Sequence, residues 1–431
     1  MKALLTDLYQ LTMAAGYYLA GKTADRATFE LSVRRLPAGR SFVLAAGLEQ
    51  ALDYLEGLRF TTEEVDYLRR LPQLAAAPGE FFSWLEGFRF TGEVWAVEEG
   101  TPVFAGEPLM RITAPLVEAQ IPETYLLATL TFPTLVATKA ARMVEAAQGR
   151  PVIEFGTRRA HTAEAGLVGA RAAYLGGCEG TSNLEAGRRF GIPVYGTMAH
   201  SWTMVFDSEM EAFAQLQKLL GDRAIYLVDT YDTETGTTNA AGLGTPFYGV
   251  RVDSGDLLED SRMIRGILDR AGFPEARIMA SGDLNEIRIQ DLLSAGAPID
   301  SFGVGTELAT SADAPSMGSI YKLVQIEHQG RARPTAKRSL QKVSLPGIKQ
   351  VFRLPDRDIV GLESESFAGA RPLLEPVMRA GRRLVRPPPV VELRRRAAAK
   401  LAAYGHSRPV VLSQMLEELS AEVSWSLTTG N

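Results

Sequence analysis

The sequence predicts an α/β protein: a (β/α)8-type barrel joined to an additional α+β, sandwich-like domain built from the N-terminal region and the segment after the barrel. Three observations predict this. From about residue 120, short apolar runs recur at intervals of about 20–30 residues and alternate with helical patterns, as parallel strands with crossover helices do. Before residue 115 the chain instead mixes helices with β-rich stretches broken by glycine. After Val324 the alternation gives way to short strands with polar turns, so the chain is expected to return to the first domain. The expected boundaries are an N-terminal α+β domain at 1–118, a barrel carrying the active site at 119–330, a return segment at 331–390 and a helical tail at 391–431. A doubly wound open sheet is the alternative; about eight β/α units in roughly 200 residues favour the closed barrel.

Taken in order, Thr6–Tyr18 places Leu8, Leu11 and Ala15 at helical spacing. Ala27–Arg34 and Ser41–Ala45 read as strands joined through Pro37-Ala38-Gly39, and Leu48–Gly57 and Thr62–Leu71 as helices. Phe88–Pro115, interrupted by Gly100 and Gly106, reads as small antiparallel hairpins. Helical runs at Glu123–Leu130 and Leu135–Gln148 precede the barrel strands. Those are expected at Val152–Phe155, Leu175–Cys178, Val194–Gly196, Ile225–Asp229, Tyr248–Val252, Ile278–Ala280, Phe302–Val304 and Ile320–Ile326. Glu209–Leu219, Leu257–Arg270 and Leu284–Leu293 are helices between them. Beyond the barrel, Thr335–Val343, Gln350–Leu354 and Ile359–Leu362 read as strands, then an Arg- and Ala-rich helix follows Pro387-Pro388-Pro389.

Composition narrows the function classes. The chain is 46% hydrophobic and 23% charged with a net charge of −5, ordinary for a globular protein and without the basic face of a nucleic-acid binder. One cysteine, Cys178, leaves no disulfide framework or cysteine-rich zinc site and fits a reducing compartment. Asp7 interrupts the apolar start, so no signal peptide is expected; nothing is apolar for long enough to span a bilayer, and the cytoplasm is the expected location.

In a barrel, chemistry collects at the carboxyl ends of the strands. There the chain places Phe155-Gly156-Thr157-Arg158-Arg159, Glu179-Gly180-Thr181-Ser182-Asn183, Gly196-Thr197-Met198-Ala199-His200-Ser201, Asp229-Thr230-Tyr231-Asp232, Arg251-Val252-Asp253-Ser254-Gly255-Asp256, Ser281-Gly282-Asp283 and Gly303-Val304-Gly305-Thr306. Arginines among small Gly, Ser and Thr loops suit an anionic ligand, because guanidinium forks bind carboxylate or phosphate bidentately. The aspartates suit sugar hydroxyls, or a Mg²⁺ held by one or two carboxylates plus substrate phosphates. Gly303–Thr306 lies where such barrels commonly hold a phosphate. Structural roles compete: Asp229, Asp256 and Asp283 can each cap a helix, Asp256 most readily, and Cys178 reads as core. Of the four histidines, His161 and His328 read as structural and His406 as solvated, which leaves His200.

These clusters, with Thr6-Asp7-Leu8-Tyr9-Gln10-Leu11-Thr12-Met13 near the start, resemble the nicotinate phosphoribosyltransferase family, in the expected order from residue 1 to about 345. The resemblance implies formation of nicotinate mononucleotide and pyrophosphate from nicotinate and phosphoribosyl pyrophosphate, coupled to ATP hydrolysis through a phosphohistidine, with Mg²⁺. By it, His200 matches the phosphorylated histidine, Phe155 the aromatic stacked on the pyridine ring, and Arg158 the arginine beside it, with Thr181 and Ser182 also at the nicotinate. Tyr9 matches a tyrosine supplied by a neighbouring subunit, implying a homodimer. Arg251, Asp253 and Ser254 match residues at the ribose and phosphates, and Gly282, Asp283, Gly303, Gly305 and Thr306 the phosphoribosyl cradle. A neutral Ser182, where nicotinamide-using relatives appear to carry an acid, sets no carboxylate against that of nicotinate. The alternatives are a nicotinamide- or quinolinate-using phosphoribosyltransferase and a non-catalytic phosphate-binding barrel.

Overall fold

A computed structural model describes residues 3–337, 344–405 and 407–429. His406 and the end of the strand expected to reach Val343 lie outside them. The chain forms two compact units, one of Met1–Leu135, Ser316–Pro388 and Ala399–Asn431, the other of Val136–Pro315 and Pro389–Ala398.

The first unit is built on a seven-stranded sheet in the order Arg331–Pro334, Ser319–His328, Arg26–Val33, Pro108–Pro115, Glu93–Val97, Leu374–Arg379, Arg382–Arg383, with every pairing antiparallel. Leu31, Val33, Val94, Met110 and Ile112 supply its buried apolar face. A smaller sheet joins Arg371–Pro372, Lys349–Arg353, Asp358–Leu362 and Val410–Leu412.

The second unit contains a parallel sheet of six short strands: β1 (Val152–Glu154), β2 (Gly180–Thr181), β3 (Ile225–Leu227), β4 (Gly249–Val252), β5 (Arg277–Ala280) and β6 (Ser301–Val304), in the order β2-β1-β6-β5-β4-β3. Val152, Ile153, Tyr226, Val250, Val252, Ile278, Phe302 and Val304 are all buried, as expected for strands covered on both faces. The helices between them start on side-chain caps: Thr162 before Ala163–Leu175, Asp232 before Thr233–Gly242, Asp256 before Leu257–Arg270 and Asn285 before Glu286–Ser294. Each such cap is worth about 1 kcal/mol and fixes where a strand-end loop ends.

Several expectations are corrected. The second strand is not Leu175–Cys178: Leu175 closes a helix, Gly177 turns the chain at φ +111°, and the strand is Gly180–Thr181. The third run, flanked by Pro193 and Gly196, makes only one parallel bridge, Thr181 to Val194, because proline and glycine weaken a ladder. The eighth run pairs antiparallel with Arg26–Val33 in the first unit, over Ser319–His328. Among the described residues the parallel sheet therefore ends at β3 on one side and at β2, which carries only the single Val194 bridge, on the other, and does not close into the expected eight-stranded barrel. Finally, the two helical runs after residue 120 are one helix, Glu123–Ala146, with Pro133 inside it. Its first half packs in the first unit, where a Cβ on Gly47 would lie 2.2 Å from the Thr129 carbonyl, and the compact units divide at 135/136. A second division falls at 315/316, ahead of the Ser319–His328 strand.

Candidate active site

The carboxyl ends of the parallel strands carry a connected polar cluster centred on Arg251, in β4. Its Nε donates to Ser281 Oγ at 2.7 Å, Nη2 to Asp253 Oδ1 at 2.6 Å, and Nη1 to Thr197 Oγ1 and the Met198 carbonyl at 3.1 and 3.3 Å. Ser281 in turn donates to Asp253 Oδ1. Burial pushes the Asp253 carboxyl up, but the Ser281 hydroxyl, the Arg251 guanidinium and His200 outweigh it and hold the group below the usual carboxylate range. Asp253 is thus an anion with one oxygen committed to Arg251 and Ser281.

The neighbouring strand end braces this arrangement. Asp229 Oδ2 accepts from the Asp253 backbone N–H at 2.9 Å and the Ser254 hydroxyl at 2.6 Å, while its Oδ1 is buried without a hydrogen-bond partner among the described residues. Asp229 is therefore not a helix cap; Asp232 takes that role. His200 opens a short helix, and its Nδ1 lies 3.2 Å from Thr230 Oγ1. Asp256 caps Leu257–Arg270, accepting from the N–H groups of Leu258 and Glu259 at 3.1 and 3.3 Å. Gly282 has φ +92°, and a Cβ there would lie 2.0 Å from the Asp253 carbonyl, so only glycine lets this loop pass. Asp283 is exposed with φ +44° and is not the cap of the next helix, which is Asn285.

An aromatic floor lies beside the cluster. Phe155 follows β1, and the Arg251 guanidinium stands 5.7 Å from its ring centroid. The ring lies against Gly303, where a Cβ would come within 2.7 Å of Cδ2 and Cε2. Below it, buried Glu154 accepts from the Gly156 N–H and from Thr181 Oγ1, and burial pushes its carboxyl up against those two donors. Thr181 also accepts from the Asn183 N–H at 2.9 Å, and Asn183 Nδ2 donates to Thr157 Oγ1 at 3.1 Å, tying the loops after β1 and β2 together. Ser182 is half-buried, its N–H on the Glu154 carbonyl at 2.9 Å. Arg158 and Arg159 are exposed, in a 3₁₀ turn over Thr157–Arg159. Thr306 is exposed at the opening of a short helix, directly after Gly305.

The second unit contains every candidate residue except Tyr9; hydrogen bonds bring Arg251 and Asp253 together and join Ser254 to them through Asp229, whereas among the described residues none ties Arg158, Asp283 or Thr306 to that cluster. Tyr9 lies in the helix Leu8–Leu19 of the first unit, exposed along with Leu5, Leu8 and Met13. Sequence reasoning missed Ser281, Thr197 and Thr230 as hydrogen-bond partners and Glu154 as the post beneath the floor. Ser281, Thr197 and Thr230 stood within the strand-end clusters without a role assigned to them, and for Glu154 the signal was its place directly before Phe155.

Among the described residues no group of three or more His, Cys, Asp or Glu is arranged to hold a metal ion. No helix among them is long and apolar enough to cross a membrane.

Comparison with known proteins gives a consistent result. Residues 4–131 match the N-terminal domain of the nicotinate phosphoribosyltransferase family, and residues 151–359 match the family's main region. A nicotinate phosphoribosyltransferase of Mycobacterium tuberculosis is 46% identical over 401 residues, 90% of this chain and 84% of its own length. One from Bacillus subtilis is 44% identical over 361 residues, covering 82% of this chain and 73% of its own. The crystal structure of human nicotinic acid phosphoribosyltransferase superposes with a TM-score of 0.85 at 28% identity, covering 97% of this chain and 99% of that one.

Proposed function

Because the chain belongs to the nicotinate phosphoribosyltransferase family, we propose that it joins nicotinate to phosphoribosyl pyrophosphate, giving nicotinate mononucleotide and pyrophosphate for NAD salvage. The observation that carries this reading is the pairing of a preformed Arg251–Asp253–Ser281 cluster with the Phe155 ring beside it.

The parts divide the work. Phe155 supplies a flat apolar face for the pyridine ring, and the exposed Arg158 pairs with the nicotinate carboxylate. Thr181 and Ser182 line the same side, and the neutral hydroxyl of Ser182 sets no negative charge against that carboxylate. Arg251 and Ser254 face the phosphates, and Asp253 the ribose hydroxyls. The loops at Gly282-Asp283 and at Gly303, Gly305 and Thr306 form the phosphoribosyl cradle. As the C1–O bond to pyrophosphate breaks, positive charge develops on the ribose, and the ring nitrogen, already positioned, attacks C1. Positioning and charge stabilisation supply the rate, and no side chain attacks the sugar.

Among the described residues there is no all-protein cage for Mg²⁺, but the unpartnered Asp229 Oδ1 fits an ion whose other ligands come from substrate phosphates. Bound there, Mg²⁺ would neutralise the pyrophosphate leaving group. His200 is the phosphorylation site in the ATP-coupled reaction: with Nδ1 against Thr230, Nε2 is the nitrogen left to accept the phosphoryl group. The exposed apolar face of Leu5, Leu8, Tyr9 and Met13 supports a homodimer in which Tyr9 completes the neighbour's nicotinate site. We read the parallel sheet as a barrel with its gap between Val194 and β3, and the enzyme as cytoplasmic.

The test is product formation from nicotinate or nicotinamide with phosphoribosyl pyrophosphate and Mg²⁺, with and without ATP, for the wild type and His200→Ala. Mononucleotide from nicotinate, raised by ATP only in the wild type, is the expected result. Equal turnover of nicotinamide would overturn the substrate assignment, and binding without turnover would favour a non-catalytic phosphate-binding protein.

A further inference from the structure

Lys139 is almost wholly buried, yet the reaction just described does not use it. Its Nζ lies 2.7 Å from Glu286 Oε2, 2.9 Å from Asp313 Oδ1 and 3.4 Å from Glu307 Oε2. Arg142, on the same face of the Glu123–Ala146 helix, reaches Glu286 Oε1 at 2.9 Å and Asp313 Oδ2 at 2.8 Å. Two cations thus meet three carboxylates: Lys139 and Glu286 are shielded from water, while Glu307 and Asp313 keep about 30% of their side chains exposed. An ammonium group buried on such pairs repays little of its desolvation cost as stability, which turns attention to the geometry it imposes.

The carboxylates come from telling places. Glu286 is the first residue of the helix Glu286–Ser294, directly after the loop of Gly282 and Asp283. Glu307 follows Gly305 and Thr306, and Asp313 follows the short helix Thr306–Ala309. At their upstream ends these loops are already pinned: a Cβ on Gly282 would lie 2.0 Å from the Asp253 carbonyl, and one on Gly156 would lie 2.8 Å from the Gly305 carbonyl. Their downstream ends converge on one ammonium group.

We propose that Lys139 is a positioning residue for sugar-phosphate binding: by clamping Glu286, Glu307 and Asp313 it sets the distance between the Gly282-Asp283 and Gly305-Thr306 loops. Lys139 touches no substrate and acts only through those three side chains. The proposal rests on the reading that these two loops receive phosphoribosyl pyrophosphate. It predicts a one-sided defect, because the nicotinate floor of Phe155, Glu154 and Thr181 is held by separate hydrogen bonds.

The test uses the full chain with Lys139→Met, Lys139→Arg and Glu307→Gln, measuring KM for each substrate, kcat, thermal stability and direct calorimetric binding of phosphoribosyl pyrophosphate. In Lys139→Met the KM for phosphoribosyl pyrophosphate should rise roughly ten- to hundredfold, the scale of a displacement of about 1 Å in a positioned group. The KM for nicotinate should change by less than about twofold. Lys139→Arg should recover most of the loss. Glu307→Gln removes one charge without opening a hole, so it decides the matter if Lys139→Met does not fold; it should show the same one-sided shift, smaller. A fall in melting temperature with both KM values unchanged would make Lys139 a structural ion-pair residue and overturn the proposal. Wild-type protein that binds no phosphoribosyl pyrophosphate would instead remove the reading on which it rests.

Discussion

Arg251 and Arg158 both stand at the carboxyl end of a buried strand, and they are held in opposite ways. Arg251 is half-buried and locked by Ser281, Asp253, Thr197 and the Met198 carbonyl. Arg158 is exposed in a turn and makes no such bonds among the described residues. The difference teaches that Arg251 is fixed by its neighbours before any ligand arrives, while Arg158 has no such ties among the described residues, even though the Phe155, Glu154 and Thr181 floor near it is hydrogen-bonded in place. Sugar-phosphate chemistry develops charge that must be met without reorganisation, which favours a fixed guanidinium. A small aromatic carboxylate can be captured by a mobile one, at an entropic cost that weakens binding and leaves the fold unaffected.

That contrast can be broken by substitution. Arg251→Ala strips partners from Asp253 and Ser281 together; kcat/KM should fall on the order of 100- to 1000-fold, and the melting temperature should fall with it. Equal melting curves for mutant and wild type would contradict a fixed Arg251. Arg158→Ala should raise the KM for nicotinate by about ten- to hundredfold, the value of a charge-assisted hydrogen bond of about 1.5–3 kcal/mol, with stability unchanged. Gly303→Ala forces a methyl to within 2.7 Å of the Phe155 ring, so steady-state kinetics should show nicotinate KM raised roughly tenfold with phosphoribosyl pyrophosphate little affected. Ser182→Asp places a carboxylate beside that of nicotinate; competition between nicotinate and nicotinamide should move several-fold toward the amide.

The smallest effect is in pH. Asp253 has a depressed carboxyl in the folded protein, so the stability it contributes is present above the ordinary carboxylate value and is lost as pH falls through the lower folded value. Melting temperatures of the wild type and Asp253→Asn should therefore differ most above the ordinary carboxylate range and converge as pH falls below it. Curves that stay parallel across that range would show that Asp253 is not held as an anion.

Much of this arrangement was legible in the sequence. Short buried runs such as Val250–Val252 and Ile278–Ala280 announce parallel strands, and Asp256 before Leu257 announces a helix start. What failed depended on partners distant in sequence. Ile320–Ile326 is as apolar as a barrel strand, and only its ladder with Arg26–Val33 assigns it to the antiparallel sheet. Val194 and Tyr195 look like a strand but meet Thr181 in a single bridge. Asp229 and Asp283 sat where caps sit, yet Asp232 and Asn285 do the capping, because the chain runs further before it turns helical. Lys139 was hidden for a similar reason: a lysine in a helix reads as solvated until three carboxylates from two later loops are seen to converge on it.

The most direct test is calorimetric titration of nicotinate into enzyme already holding phosphoribosyl pyrophosphate, for wild type, Arg158→Ala and Arg251→Ala, alongside titration of phosphoribosyl pyrophosphate itself. The account predicts that Arg158→Ala loses affinity for nicotinate alone and that Arg251→Ala loses affinity for phosphoribosyl pyrophosphate first. If both variants weaken both ligands equally, the assignment of a fixed Arg251 to the sugar-phosphate and an exposed Arg158 to nicotinate is contradicted.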